Sequence, residues 1–176
     1  MNIGRADRGY TLLFAVLVSA LVLAIGISIL AIAKKEFLLA TSARDSSSAF
    51  YAADSGIECA AYGEWVTKAF DLDDDRTSFL GCNFNPVPSP VLENIPNGKK
   101  FTFDINVTSA NASGGPCASI VITKIKDQIT GIIKTSIDSR GYNTGWSTAN
   151  GGSCSISNAD ALLSAKRVER AIQLRY

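Results

Sequence analysis

The hydrophobic pattern divides the chain sharply. Tyr10 to Ala33 reads YTLLFAVLVSALVLAIGISILAIA, an apolar run without a charged side chain. As a helix rising 1.5 Å per residue, about 24 residues reach roughly 36 Å, enough to cross a bilayer core of about 30 Å. A helix also closes its backbone hydrogen bonds internally, as lipid demands. The run is longer than the apolar stretch of a cleaved signal peptide, which extends about 7–15 residues. It therefore predicts a membrane span or anchor. Gly26 lies inside it, near Ala20, Ala24 and Ser28. Small residues there suit close helix packing. The competing reading is a weak point for local unwinding, because Gly costs about 1 kcal/mol relative to Ala.

Helical spacing continues beyond the apolar run. Phe50, Ala53, Ile57, Ala60 and Ala61 recur at intervals of three and four, which predicts one apolar stripe. No proline occurs before Pro86. The pattern predicts a single helix from about Thr11 to about Ala69, roughly 90 Å long. Its outer half needs a sheet to cover it, and its inner half needs lipid or neighbouring helices.

Residues 70–98 read as a loop region, since Pro86, Pro88 and Pro90 exclude a regular helix and a central strand. Strand patterns follow over 99–176. Phe101, Phe103, Ile105 and Val107 alternate with Thr102, Asp104, Asn106 and Thr108. Ser119 to Lys126 is rich in Ile, Val and Thr, and Asp127 to Gly131 can turn the chain into a return strand over Ile132 to Asp138. Val168, Ile172, Leu174 and Tyr176 share one face of a last strand. Four strands on the long helix predict an α+β fold with an antiparallel sheet. Residues 141–158, rich in Gly, Asn and Ser, read as a surface loop. Its Tyr142 and Trp146 are either interface anchors or lids on a local cluster, and the second reading is preferred.

Composition narrows the function. The 176 residues carry 17 Lys and Arg against 16 Asp and Glu, so no global field selects a nucleic acid or a cationic partner. There is no histidine, which removes Ser-His-Asp and Cys-His catalysis and His-containing zinc sites. No enzyme, cofactor or metal is expected. Asp71, Asp73, Asp74 and Asp75 invite a calcium reading, but Arg76 stands where an EF-hand loop needs Gly and Cys82 where it needs Glu. A solvated acidic turn explains them better.

Arg5 and Arg8 before the span nearly balance Lys34 and Lys35 after it, so charge alone leaves the orientation open. All four cysteines, Cys59, Cys82, Cys117 and Cys154, follow the span, which favours an exported C-terminal domain with two disulfides. Four cysteines allow three pairings. Cys59 with Cys82 and Cys117 with Cys154 are favoured, each bridge stabilising by about 3–4 kcal/mol.

The segment Arg8-Gly9-Tyr10-Thr11-Leu12-Leu13, where a short basic leader ends in Gly and the apolar run begins at once, resembles a class III prepilin signal. Ala49-Phe50-Tyr51-Ala52-Ala53-Asp54-Ser55-Gly56-Ile57-Glu58 is similar to the Ala-rich segment with an acidic residue in PilX-like minor pilins. Thr135 to Asn143 and Arg167 to Tyr176 are similar to strands of that group. The resemblance to the type IV pilin and pseudopilin superfamily implies cleavage between Gly9 and Tyr10 by a prepilin peptidase, with methylation of the new Tyr10 amine. Phe14 occupies the fifth mature position, where most pilins carry Glu. A buried carboxylate there costs about 2.5–3.5 kcal/mol on insertion scales, and members lacking it include tip-type pseudopilins and PilX-like minor pilins.

The expected organisation is a leader at 1–9, a transmembrane and filament-core helix at 10–33, its continuation into the head at 34–69, a loop region at 70–98 and a sheet at 99–176. By the resemblance, the chain is a minor or tip-associated subunit of a type IV pilus or a type II secretion-like pseudopilus. Phe14 and Gly26 would lie in filament-core packing. Its partners would be other pilin subunits through the N-terminal helix, the prepilin peptidase and an inner-membrane assembly platform, with the head outside the cytoplasmic membrane. The alternatives are a filament-borne adhesin or DNA-binding receptor using Lys99, Lys100, Lys124, Lys126 and Lys134, and a signal-anchored periplasmic enzyme.

Overall fold

The computed structural model describes residues 6–72, 81–82, 85–86, 90–108, 114–147, 152–154 and 167–176. The fold is α+β. One helix, α1 (Ala6–Trp65), precedes a five-stranded antiparallel sheet of β3 (Val91–Ile95), β4 (Gly98–Asn106), β5 (Cys117–Lys126), β6 (Ile133–Tyr142) and β9 (Glu169–Arg175), paired in that order. Two short ribbons accompany it, β1 (Gly81–Cys82) with β2 (Asn85–Pro86), and β7 (Trp146–Ser147) with β8 (Ser153–Cys154). The chain divides into two compact units after Ala43.

In the first unit the described side chains from Tyr10 onward are exposed, including Leu12, Leu13, Phe14, Leu21, Ile25, Leu30, Phe37 and Leu39. Both serine hydroxyls in this apolar stretch are already satisfied. Ser19 Oγ donates to the Val16 carbonyl and Ser28 Oγ to the Ala24 carbonyl, both at 2.9 Å. Such back-bonding removes the cost of placing a hydroxyl in lipid.

The second unit, Arg44–Tyr176, contains the core. Strand alternation turns Phe101, Phe103, Ile105, Ala118, Ile120, Ile122 and Ile137 inward, where they are buried against the outer part of α1. The chain leaves the helix through Lys68, whose φ of 51° lies in the left-handed region. This reversal drops Ala69 and Phe70 into the core, with Phe70 5.3 Å from the Phe101 ring and stacked on Phe103. The helix therefore ends at Trp65 rather than near Ala69.

Three expectations need correction. The stretch 70–98, read as loop, contains β3, which pairs with β4 across a tight turn at Pro96-Asn97 and makes the sheet five-stranded rather than four-stranded. An edge position tolerates the prolines on either side, because Val91–Ile95 needs ladder partners on one side only. The expected helix stripe holds at Ala53, Ala60 and Ala61, which are buried, and at Ile57, which packs against the core, but Phe50 is half exposed and Ala49, Ala52, Gly56 and Cys59 complete the buried face. Close approach to the sheet selects small side chains and turns the large ones outward. Finally, the stretch 141–158 is not simply a surface loop. Trp146 and Cys154 are buried with Cys117, and Tyr142 packs against them on the sheet face opposite α1.

Both favoured disulfides are present, Cys59–Cys82 and Cys117–Cys154, each with a Cα–Cα distance of 5.7 Å. The first ties α1 to the β1 segment and the second clips β8 onto β5. Replacing Cys59 and Cys82 together by Ala is expected to lower head stability by about 3 kcal/mol. Guanidinium unfolding of the detergent-solubilised chain, oxidised, reduced and doubly substituted, measures it. Equal midpoints for all three would contradict the assignment.

Candidate functional site

α1 passes through the Gly9–Tyr10 junction without a break. Tyr10 and Phe14 are exposed, and a Cβ added at Gly26 would meet nothing within 4 Å. These three residues thus find no partner within the described chain, and the close packing expected at Gly26 requires another molecule. α1 is long and apolar enough to cross a membrane.

Within the second unit, the helix docks through a graded wedge. Neighbouring inward pairs on β5 and β6 run Lys124/Thr135, Ile122/Ile137, Ile120/Ser139 and Ala118/Gly141. From the Ile122/Ile137 pair onward side-chain size falls, so α1 comes closest at its Ala49 side. A Cβ on Gly141 would lie 2.1 Å from the Ala49 carbonyl oxygen and 2.2 Å from the Ala53 nitrogen. One on Gly56 would lie 2.2 Å from Ser139 Oγ.

At the wide end, the Lys124 ammonium is nearly buried, 2.5 Å from Glu64 Oε1, and donates to the Phe70 carbonyl at 2.6 Å. The last turn of α1 has no basic residue of its own. Lys124 brings a cation from the sheet to the carbonyl end of the helix, where the dipole favours one. The receptor alternative set this lysine in one basic row with four others, but its even position in β5 points it inward with Ile120 and Ile122. The signal available was that alternation itself, continued one step further.

The other lysines also fall apart as a row. Lys100 pairs with Glu93 across the β3–β4 ladder at 2.9 Å, while Lys126 and Lys134 are exposed. A receptor reading that needs all five as one basic strip loses two of them. Asp73, Asp74 and Asp75 of the acidic run lie outside the described residues.

On the opposite face, Arg167 sits over the Tyr142 ring at 3.6 Å and donates to the Cys154 carbonyl at 3.1 Å. The Cys154 amide donates to Asp104 Oδ2 at 2.9 Å, and Val168 N donates to Asn143 Oδ1 at 2.7 Å. Burial first, and the Glu169 carboxylate second, hold the Tyr142 phenol above its ordinary range. The cluster fixes the described residues between β6 and β9 against the sheet. Trp146 is thus packing rather than an open anchor.

A long apolar N-terminal helix combined with an antiparallel sheet is a pilin-like layout. No family model matches this sequence, and no curated protein or solved structure is significantly similar to it.

Proposed function

We propose that the chain is a structural subunit of a type IV pilus or a type II secretion-like pseudopilus, specifically a minor or tip-associated pilin of the PilX-like kind. The observation that carries this reading is one unbroken helix, Ala6–Trp65, that joins an uncharged, exposed apolar stretch to the segment docked on a disulfide-tied sheet. A helix whose apolar side chains are exposed all round needs lipid or other helices as its solvent. In this reading α1 is held in the cytoplasmic membrane with the head outside, and later packs beside similar helices in an open helical assembly. Prepilin peptidase releases the leader between Gly9 and Tyr10. Phe14 removes the carboxylate that most pilins place at that position, which suits a subunit set apart from the bulk of the filament.

The test is the N-terminal mass of the protein purified from its native membrane or from a sheared surface fraction. A chain beginning at Tyr10 with one added methyl group is expected. A chain still beginning at Met1 or Asn2, from cells with an active prepilin peptidase, would sink the reading.

A further inference from the structure

The turn between β5 and β6 is unusual in what it displays. Gly, Asn, Asp and Ser normally occupy turn tips, yet here Ile129 is 96% exposed at the tip and Ile132 is 60% exposed beside it. Ile125 and Ile133, at the two strand ends, are also exposed. Single exposed apolar residues need no explanation, but Ile129 and Ile132 stand together on one turn, with Ile125 and Ile133 at the strand ends on opposite faces of the sheet.

The turn is held rigidly. Asp127 Oδ1 accepts from the Ile129 amide at 2.9 Å and from the Thr130 amide at 3.1 Å. The Gly131 amide donates to the Asp127 carbonyl, and the Asp127 amide to that of Ile132. Gln128 Nε2 donates to Asn97 Oδ1, and the Lys126 amide to the Asn97 carbonyl, which locks this turn to the β3–β4 turn. The isoleucines are thus presented in a fixed arrangement, with little ordering left to be done on binding.

Charge surrounds the patch. Lys126 and Lys134 flank it and are exposed. A groove of about 570 Å³ between the two turns is lined by Lys99 and Lys126 together with Leu72, Asn97, Asp127 and Gln128. The Asp127 carboxylate is committed to the turn amides, whose hydrogen bonds from Thr130 and Ile129 hold its pKa below the ordinary value. The turn also lies at the end of the sheet where Lys124 meets the last turn of α1, away from the Gly141 contact.

We propose that the β5–β6 turn docks on an anionic lipid bilayer, with Ile129 and Ile132 entering the boundary between headgroups and acyl chains. Lys126 and Lys134 meet the phosphate headgroups. Aliphatic residues ringed by lysine match that boundary. Protein interfaces are depleted in lysine, and single-stranded nucleic acid favours aromatic stacking platforms, whereas Lys124 to Lys134 contains no aromatic residue. The inference does not depend on the filament reading.

The experiment seats the full-length chain through α1 in nanodiscs of zwitterionic lipid and measures flotation with added vesicles. Binding to vesicles containing phosphatidylglycerol, but not to pure phosphatidylcholine, is expected, weakening as salt rises. Ile129→Ser with Ile132→Ser should weaken it about tenfold, and Lys126→Gln with Lys134→Gln about 30-fold at low salt. These side chains are exposed, and an unchanged denaturant midpoint shows that the variants fold. Absence of binding, equal binding to neutral vesicles, or full binding by the isoleucine variant overturns the proposal. Ile129-dependent association of nanodiscs without vesicles would make a second copy the occupant, and lysine-dependent, isoleucine-independent binding of duplex DNA would make it a nucleic acid. Either result also overturns it.

Discussion

Replacing Gly141 by Val is expected to abolish stable docking of α1 on the sheet. The position is in the middle of the closest helix–sheet approach. Its missing Cβ would fall 2.1 Å from the Ala49 carbonyl oxygen, 2.2 Å from the Ala53 nitrogen and 2.8 Å from the Ala53 Cα. All three are backbone atoms, so no rotamer change relieves the overlap, and the helix must lift. Overpacking into side chains typically costs about 1–3 kcal/mol. A clash with backbone, followed by exposure of the surface under Ala49, Ala52 and Ala53, exceeds that and approaches the whole margin of about 5–15 kcal/mol that holds a domain folded. Hydrogen exchange of the β5 and β6 amides in the detergent-solubilised chain measures the effect. Loss of protection in Gly141→Val is expected. Gly26→Ala, where a Cβ meets nothing within 4 Å, should keep protection in the head unchanged. Cooperative unfolding of Gly141→Val within about 1 kcal/mol of the parent would refute the wedge.

Lys124→Met should destabilise the head by about 3–5 kcal/mol, because it leaves the Glu64 carboxylate nearly buried without its counter-charge. Side-chain exposure is only 10% for Lys124 and 13% for Glu64. The substitution also removes the donor to the Phe70 carbonyl, just where the chain folds back into the core. The double variant Lys124→Met with Glu64→Leu should recover much of the loss, since apolar residues of similar volume often replace a buried pair at no net cost. Denaturant unfolding of both variants at neutral pH distinguishes a buried pair from a solvated one. A loss under about 1 kcal/mol for the single variant would mean that water screens the pair.

Lys124 also shows how far alternation can be read. Phe101, Phe103 and Ile105 were legible as an inward face because each is apolar, and the apolar-polar period of two is the strand signal. Lys124 obeys the same period, but its charge hides it, and only the position of Glu64 on the last turn of α1 explains an inward lysine. The helix stripe shifted for a related reason. A large apolar residue such as Phe50 weighs heavily in a sequence pattern, whereas packing against Gly141 and Ser139 brought in Ala49 and Gly56 beside the expected Ala53. The strand Val91–Ile95 was obscured by its flanking prolines, which rule out a central strand and leave an edge strand open.

The uncharged stretch Tyr10–Ala33 and the alternation in Phe101–Ile105 carry their own instruction, because helix period, strand period and bilayer length are local properties of the chain. They suffice for a long apolar helix and an antiparallel sheet. The resemblance at the Gly9–Tyr10 junction is equally local, since a peptidase would read a short segment. Which face of α1 is buried, which lysine is solvated and which turn presents Ile129 were set by contacts between residues far apart in sequence. Lys124 and Glu64, or Gly141 and Ala49, acquire their roles only when strand register and helix height bring them within a few ångströms. Distance in space is a joint property of the whole fold, and no local period encodes it.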